Sequence, residues 1–146
     1  MKKFSGGKTL AVVAVAGGAI LASIAPVMAE VSAQSPSAGA IRAESPAKLK
    51  AWGAAIEVQM TYACPAGQQG YLNVTVSQAK IGGVAVGSAY KDNLNCTGGF
   101  ETTTVIVTAN DRPFDAIAPA FAKSELRTYQ NGNAARDERE IRINLW

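Results

Sequence analysis

The chain has 146 residues, with 14 basic and 11 acidic side chains, 48% hydrophobic residues and no histidine. The lack of histidine excludes Ser-His-Asp and Cys-His catalytic sites and the usual zinc and copper sites. Three of the basic residues and none of the acidic ones lie in positions 1–29. Residues 30–146 therefore carry 11 charges of each sign, which gives no electrostatic footprint for nucleic acid.

The first 29 residues have the three-part pattern of a secretory signal peptide. Three lysines form a positive n-region, residues 9–25 are apolar or small, and a Pro-Val-Met-Ala segment ends with cleavage predicted between Ala29 and Glu30. The alternative is an uncleaved membrane anchor, but the apolar run of residues 9–25 is shorter than the about 20 residues that span a bilayer. We therefore expect an extracellular protein that has no membrane partner after cleavage.

Residues 30–46 are rich in Ala, Ser and Pro and show neither strand nor helix periodicity. Such a composition buries too little apolar surface to fold and predicts a disordered linker. The folded domain is expected to occupy residues 47–146.

The two cysteines of the chain are Cys64 and Cys96. An even number of cysteines in an exported chain predicts a disulfide bond, here enclosing 33 residues. Two buried free thiols are the alternative.

Strict alternation of apolar and polar residues from Ile56 to Cys64 is the clearest structural signal and indicates a half-buried strand. It is followed by a Gly-rich turn at 65–70 and a second alternating run, which together predict a hairpin. Pro119 leaves residues 116–126 ambiguous between a helix and an edge strand. Further strands are predicted at residues 84–90, 100–109 and 139–145, with turns at 91–93, 97–99 and 110–113.

About seven short strands with turns every 8–12 residues are typical of an antiparallel β-sandwich. The fold class predicted from the sequence is therefore all-β.

Several segments in order resemble a known group of proteins. They read Val-Gln-Met-Thr-Tyr-Ala-Cys-Pro-Ala-Gly (58–67), Leu-Asn-Val-Thr-Val-Ser-Gln (72–78), Cys-Thr-Gly (96–98), a Thr/Val strand (102–108) and Arg-Glu-Ile-Arg-Ile (139–143). The chain resembles small secreted actinobacterial proteins of unknown function with an immunoglobulin-like β-sandwich. The resemblance implies export and an immunoglobulin-like fold, and it carries over no catalytic residue.

Few side chains are candidates for chemistry. Asp111 and Asp115 flank Pro113 and could in principle form an acid–base pair, although turn capping by short acidic side chains is the simpler interpretation. Residues 92–95 offer loop oxygens for calcium but lack the spacing and distal Glu of an EF-hand. We therefore predict no catalytic residue, no metal and no cofactor.

Two other features could bind a partner. The mixed-sign run 136–140 is interpreted as a solvated turn or as a charged contact patch. Trp52 and Trp146 are interpreted as packed at the core or edge, or as interface anchors.

Two classes of function remain open from the sequence. The first is a secreted, non-catalytic module that binds an extracellular protein or glycan at or outside the cell surface. The second is a small inhibitor that inserts a rigid loop, residues 65–70 beside Cys64, into a hydrolase. An enzyme is not expected.

Overall fold

The computed structural model describes residues 39–130, 132 and 134–145. This part of the chain is all-β, as the sequence predicts, and in it no helix has the length and apolar character to cross a bilayer. The strands are β1 (Ala40–Ala43), β2 (Ala47–Lys50), β3 (Ala55–Ala63), β4 (Gln69–Lys80), β5 (Gly83–Asn95), β6 (Phe100–Ala109), β7 (Ala120–Thr128), β8 (Ala134–Ile141) and β9 (Ile143–Asn144), with a short 3₁₀ turn at Ala51–Gly53.

The strands form one nearly closed sheet. Their order is β8-β7-β4-β5-β6-β3-β2-β9, and β1 pairs with β3 off this path. The two ends of this order meet, because β9 follows β8 directly along the chain and pairs in parallel with β2. On the other side, the long strand β5 pairs with β4 along its length but with β6 only at Gly87 and Ser88.

The core lies inside this wrapped sheet and consists of the inward side chains of alternate strand positions. On β3, Ile56, Val58 and Met60 are fully buried while Gln59 is exposed, as the alternation predicts. The buried cluster begins at Ile41 and ends at position 143. A chain that starts at Glu30 therefore contains all the core residues found in the described part of the protein.

The disulfide bond between Cys64 and Cys96 is confirmed, with Cα atoms 5.1 Å apart. It joins the residue after β3 to the residue after β5. Backbone hydrogen bonds also join the two turns that follow these cysteines, since Gly67 N donates to Cys96 O at 3.0 Å and Gly98 N donates to Cys64 O at 3.1 Å. This end of the domain is held by one covalent bond and a short backbone network.

The fold begins earlier than the sequence predicts. The interpretation of residues 30–46 as a linker is wrong from Ala40 onward, because Ala40–Ala43 pairs with β3 as strand β1. Small side chains suffice there, since Ala43 and Ala47 are fully buried by close packing of neighbouring strands. The predicted cleavage site at Ala29 and Glu30, and the whole predicted signal peptide, lie outside the described residues.

Three local predictions are also wrong. The strands β3 and β4 do not form a hairpin, because the 65–68 turn carries the chain away from β3 to a strand that pairs with β5 and β7. The expected turn at 91–93 is part of β5, where Asn93 has a positive φ of 53° instead of reversing the chain. Leu145, the last residue of the predicted strand 139–145, lies outside β9, which ends at the preceding residue, and is 60% exposed.

Candidate functional site

The candidate acidic pair serves to shape a loop. Asp115 Oδ1 accepts hydrogen bonds from Ile117 N at 3.0 Å and Ala118 N at 3.3 Å, which confirms the turn-capping interpretation for this residue. Its Oδ2 lies 3.0 Å from Lys80 Nζ. Asp111 is exposed in the turn before it.

Electrostatics favours the ionised form of this capping carboxyl. Partial burial by itself would raise the pKa of Asp115, but the hydrogen bond from Lys80 and the two backbone N–H groups outweigh it and lower the pKa below 3.8. A carboxyl with this environment is a stable structural anion and is poorly suited to act as a general acid near neutral pH.

The possible calcium loop does not gather ligands. Residues 92–95 belong to β5, where Asp92 and Asn93 are exposed while Leu94 is buried. Within the described residues, no group of three or more His, Cys, Asp and Glu side chains could hold a metal ion.

The mixed-sign run 136–140 lies within strand β8 and is not a turn. Its outward charges pair with β7, where Lys123 Nζ lies 3.0 Å from Glu138 Oε1 and Arg136 Nε lies 2.9 Å from Glu125 Oε2. The hydrogen bond from Arg127 is the largest cause of the lowered pKa of Glu125. The run thus contributes a ladder of neutralised charges to one side of the sheet.

Three tyrosines form a cluster on the same side of the sheet. Tyr71 lies on β4, Tyr90 on β5 and Tyr129 just after β7. The ring centroid of Tyr71 is 5.7 Å from that of Tyr90 and 5.2 Å from that of Tyr129, with the rings tilted by 41° and 45°. Tyr90 is 58% exposed and Tyr129 is 55% exposed. We call these three residues the tyrosine cluster.

The tyrosine cluster changes the acidity of one of its own hydroxyl groups, that of Tyr90. The hydrogen bond with Tyr129 is the main cause that raises the pKa of Tyr90 to about 12. Arg127, which pairs across the sheet with Tyr71, lies beside the cluster and is itself held by Glu125. The result is an exposed surface of aromatic rings, phenol hydroxyls and one guanidinium.

Small polar side chains extend this surface along the strands. Outward from Tyr90 and Tyr71, cross-strand pairing places Asn73 and Thr75 of β4 on the same face, with Ser88 of β5 beside Thr75. The face then ends in apolar residues at the far end, where Ser77 lies between Val86 and Phe121. We call the outward side of β5, β4, β7 and β8 the outer face.

An open cleft of about 450 Å³ lies at the opposite end of the domain from the tyrosine cluster. One wall is the 116–119 loop and the other is the segment from Glu140 to Asn144, which includes Arg142 and Ile143. It opens where the chain passes from β8 to β9, which pairs with β2, so it is an open gap and not an enclosed chamber.

The 65–70 segment, the loop of the predicted inhibitor, is a short turn that leads into β4. Its turn is short, because Gln68 N donates to Pro65 O at 3.3 Å and β4 starts at the next residue. The exposed positions of the turn are Ala66 and Gly67, which have the smallest side chains.

A scan of protein-family models and a search of curated proteins find no match to the chain.

Sequence reasoning did not identify the tyrosine cluster. The outward position of Tyr71 could be read from the alternation with Leu72 and Val74, which are buried. That signal does not show that β4 lies between β5 and β7, and only this neighbourhood brings the three rings together.

Proposed function

We propose that this chain is an exported, non-catalytic binding domain with an immunoglobulin-like fold that recognises an extracellular protein through its tyrosine cluster. The observation that carries the proposal is the grouping of three exposed or half-buried tyrosine rings, 5.2–5.7 Å apart, beside Arg127 on the outer face.

The order of strand pairing supports the immunoglobulin-like assignment. Immunoglobulin-type sandwiches have strands A, B, E and D in one sheet and C, F and G in the other. With β1 and β2 as the two halves of strand A, the pairings β1-β3-β6-β5 and β4-β7-β8 follow these two orders. The long β5 takes part in both, which accounts for the near closure of the sheet.

The predicted leader and the disulfide bond together support export. A disulfide bond persists in oxidising compartments outside the cytoplasm and is rare within it. The link between Cys64 and Cys96 fits that environment. The actinobacterial resemblance is consistent with such a protein.

The chemistry of the outer face favours a protein partner. Tyr and Arg are enriched at the energetic centres of protein interfaces, and Tyr, Ser and Asn dominate natural binding loops because they give large rigid contacts together with adaptable hydrogen bonds. Around Tyr90, the outer face carries tyrosine, serine and asparagine side chains together with Arg127. A glycan is a weaker fit, because rings tilted by 41° and 45° do not form one platform for stacking a sugar.

The test is capture by immobilised variants of the chain from Glu30. Three baits are exposed to an extract of the producing cell's envelope and medium: wild type, Tyr90→Ala with Tyr129→Ala, and Thr102→Ala with Thr104→Ala. The threonines are exposed on β6, a strand that carries none of the three tyrosines. We expect proteins bound by wild type and by the threonine variant to be lost from the tyrosine variant. Retention of the same proteins by the tyrosine variant contradicts the proposal.

A further inference from the structure

Three loops meet at the end of the domain opposite the disulfide bond. Ala109 N donates to Ala54 O at 2.9 Å, and Phe114 N donates to Gly53 O at 2.8 Å, so the 51–54 turn touches the 110–119 loop. Lys80, at the end of β4, donates from Nζ to Pro113 O at 2.7 Å, which places the 81–82 turn beside them. We call the residues 51–54, 81–82 and 110–119 the loop pole.

Each loop of this pole projects one large apolar side chain into solvent. Trp52 is 100% exposed, Ile81 is 104% exposed and Ile117 is 94% exposed. Among the described residues, the next most exposed large hydrophobic side chain is Phe100 at 62%. Single exposed apolar residues are normal on protein surfaces. Here, however, the three most exposed ones all lie at one end, each in a separate connecting segment.

The backbone holds these side chains outward. Ala51 and Trp52 have positive φ values of 47° and 57°, a conformation that non-glycine residues rarely adopt and that occurs at functional sites. At the next position, a Cβ on Gly53 would lie 2.1 Å from Phe114 O, so only glycine allows the turn to pack this closely on the buried Phe114. Trp52 therefore cannot fold back into the core without moving the loop beneath it.

The loop that carries Ile117 is held in place by the buried side chain of Gln78. Gln78 is buried, and its Nε2 donates to Asp115 O at 2.9 Å and to Ala118 O at 2.6 Å. Its Oε1 accepts from Asp115 N at 2.9 Å. Ile117 is thus carried by a loop whose backbone is fixed on both sides while its own side chain contacts water.

We propose that the loop pole docks the domain onto a lipid surface by inserting Trp52, Ile81 and Ile117 into its outer layer. Removing apolar side chains from water is the driving force, and tryptophan favours the boundary between headgroups and acyl chains. A fluid lipid layer accepts three separate convex tips. A folded protein partner would need a matching pocket for each, whereas protein hot spots cluster in the centre of a flat interface.

Nearby charges suit a headgroup layer without dominating the binding. The guanidinium of Arg112 lies over the 81–82 turn, where its Cζ would be 2.9 Å from a Cβ on Gly83. Lys50 immediately precedes the 51–54 turn, and its Nζ lies 3.2 Å from Glu57. Since the cations Lys50 and Lys80 already have carboxylate partners, binding is expected to depend on the apolar tips more than on salt.

This inference revises the expectation that the cleaved chain has no membrane partner. That expectation followed from cleavage of the apolar leader, which removes an anchor but leaves the exposed apolar side chains of the domain. The proposed lipid binding is independent of the proposed protein binding, because the tyrosine cluster lies near the opposite end of β4. Nine residues separate Tyr71 from Lys80, a distance of roughly 30 Å along a strand.

The experiment is co-sedimentation of the chain from Glu30 with vesicles of equal parts phosphatidylcholine and phosphatidylglycerol. Wild type is compared with Trp52→Ala, with the double variant Ile81→Asn and Ile117→Asn, and with two matched controls, Phe100→Ala and Ile106→Asn. The controls remove exposed side chains of similar size from β6. Circular dichroism checks that every variant is folded.

We expect each loop-pole variant to bind vesicles about tenfold or more weakly, as the loss of one or two buried apolar side chains predicts, and the controls to bind like wild type. The Tyr90→Ala variant should also bind like wild type, which separates this proposal from the proposed function. Unchanged binding by the folded loop-pole variants, or no binding by wild type, overturns the proposal. A protein captured by wild type through these tips, without vesicle binding, overturns it as well.

A spectroscopic readout locates the inserted side chain. In a Trp146→Phe chain that starts at Glu30, Trp52 is the single tryptophan. Its fluorescence should shift to shorter wavelength on adding vesicles and be quenched by lipids brominated near the headgroup. An unshifted spectrum in the presence of bound vesicles contradicts insertion by Trp52.

Discussion

The two ends of the domain are stabilised by different contacts and present different surfaces. At the disulfide end, the bond between Cys64 and Cys96 closes the turns, and the nearby outer face displays tyrosines on regular strands. At the loop pole, Phe114 and Gln78 hold irregular loops from below. The loop pole shows that an irregular loop can hold an apolar side chain in solvent at a fixed position. This is possible because a buried side chain forms hydrogen bonds with the loop's backbone.

Replacing Phe114 with Ala is expected to have the largest effect on the loop pole. The ring is 2% exposed, and removing a buried aromatic ring costs about 3–5 kcal/mol through lost burial and the cavity left behind. Urea unfolding measures this loss in the free energy of unfolding. Phe100→Ala, at a 62% exposed position, is the control and should cost less than about 0.5 kcal/mol. Equal effects at the two positions would mean that Phe114 does not anchor the loop.

Removing the disulfide bond tests the other end. The double variant Cys64→Ser and Cys96→Ser should lose roughly 3–4 kcal/mol of unfolding free energy, because the unfolded chain regains the freedom of a 33-residue loop. Unfolding curves in urea give the value, and wild type with a reductant should match the double variant. If the variant unfolds at the urea concentration of oxidised wild type, the bond is not a main support of this end.

The buried amide of Gln78 is expected to have an intermediate effect. Gln78→Leu keeps a similar volume but leaves Asp115 N, Asp115 O and Ala118 O without their partner, at a cost of about 2 kcal/mol. Hydrogen exchange should show faster opening at Ile117 and Ala118 than at the disulfide end. Gln59→Leu, at an exposed position of β3, serves as the control. Uniform acceleration across both ends would contradict a local role.

The smallest effect is pH dependence at the loop pole. The pKa of Asp115 is lower in the folded protein than its usual value of 3.8, so this carboxyl contributes stability above that pH and loses it as the pH falls toward the folded value. Asp115→Asn should therefore flatten the fall in stability below pH 3.8, whereas Gln59→Leu, which removes no charge, should not. Thermal unfolding from pH 6 to pH 2 makes the comparison. Identical acid profiles for wild type and Asp115→Asn exclude this role.

The sequence predicts where strands lie better than it predicts which strands pair with one another. The alternation from Ile56 to Met60 locates β3 because one face is buried, and the cysteine count predicts the bond to Cys96. The false hairpin between β3 and β4 shows the limit. Local periodicity reports which face of a strand is buried, but it does not report which strand lies beside it, and that depends on contacts between residues far apart in the chain.

The candidate surfaces were hidden for the same reason. Trp52 and Ile117 are 65 positions apart in the sequence, and contacts in the folded chain, such as the hydrogen bond from Phe114 N to Gly53 O, show that their loops meet. Ile81 lies at the Gly-rich turn, outside any run of alternating apolar and polar residues, so the sequence gives no reason to expect it to be buried. That it lies at the same end of the domain as Trp52 and Ile117 is seen only in the folded chain.

The most direct test of two separate binding ends is hydroxyl-radical footprinting of the chain from Glu30 bound to the phosphatidylcholine–phosphatidylglycerol vesicles. This account predicts that Trp52, Ile81 and Ile117 lose most of their reactivity while Tyr71, Tyr90 and Tyr129 keep theirs. Protection of the tyrosines by vesicles, or unchanged reactivity of the three loop-pole side chains in the bound state, would contradict it.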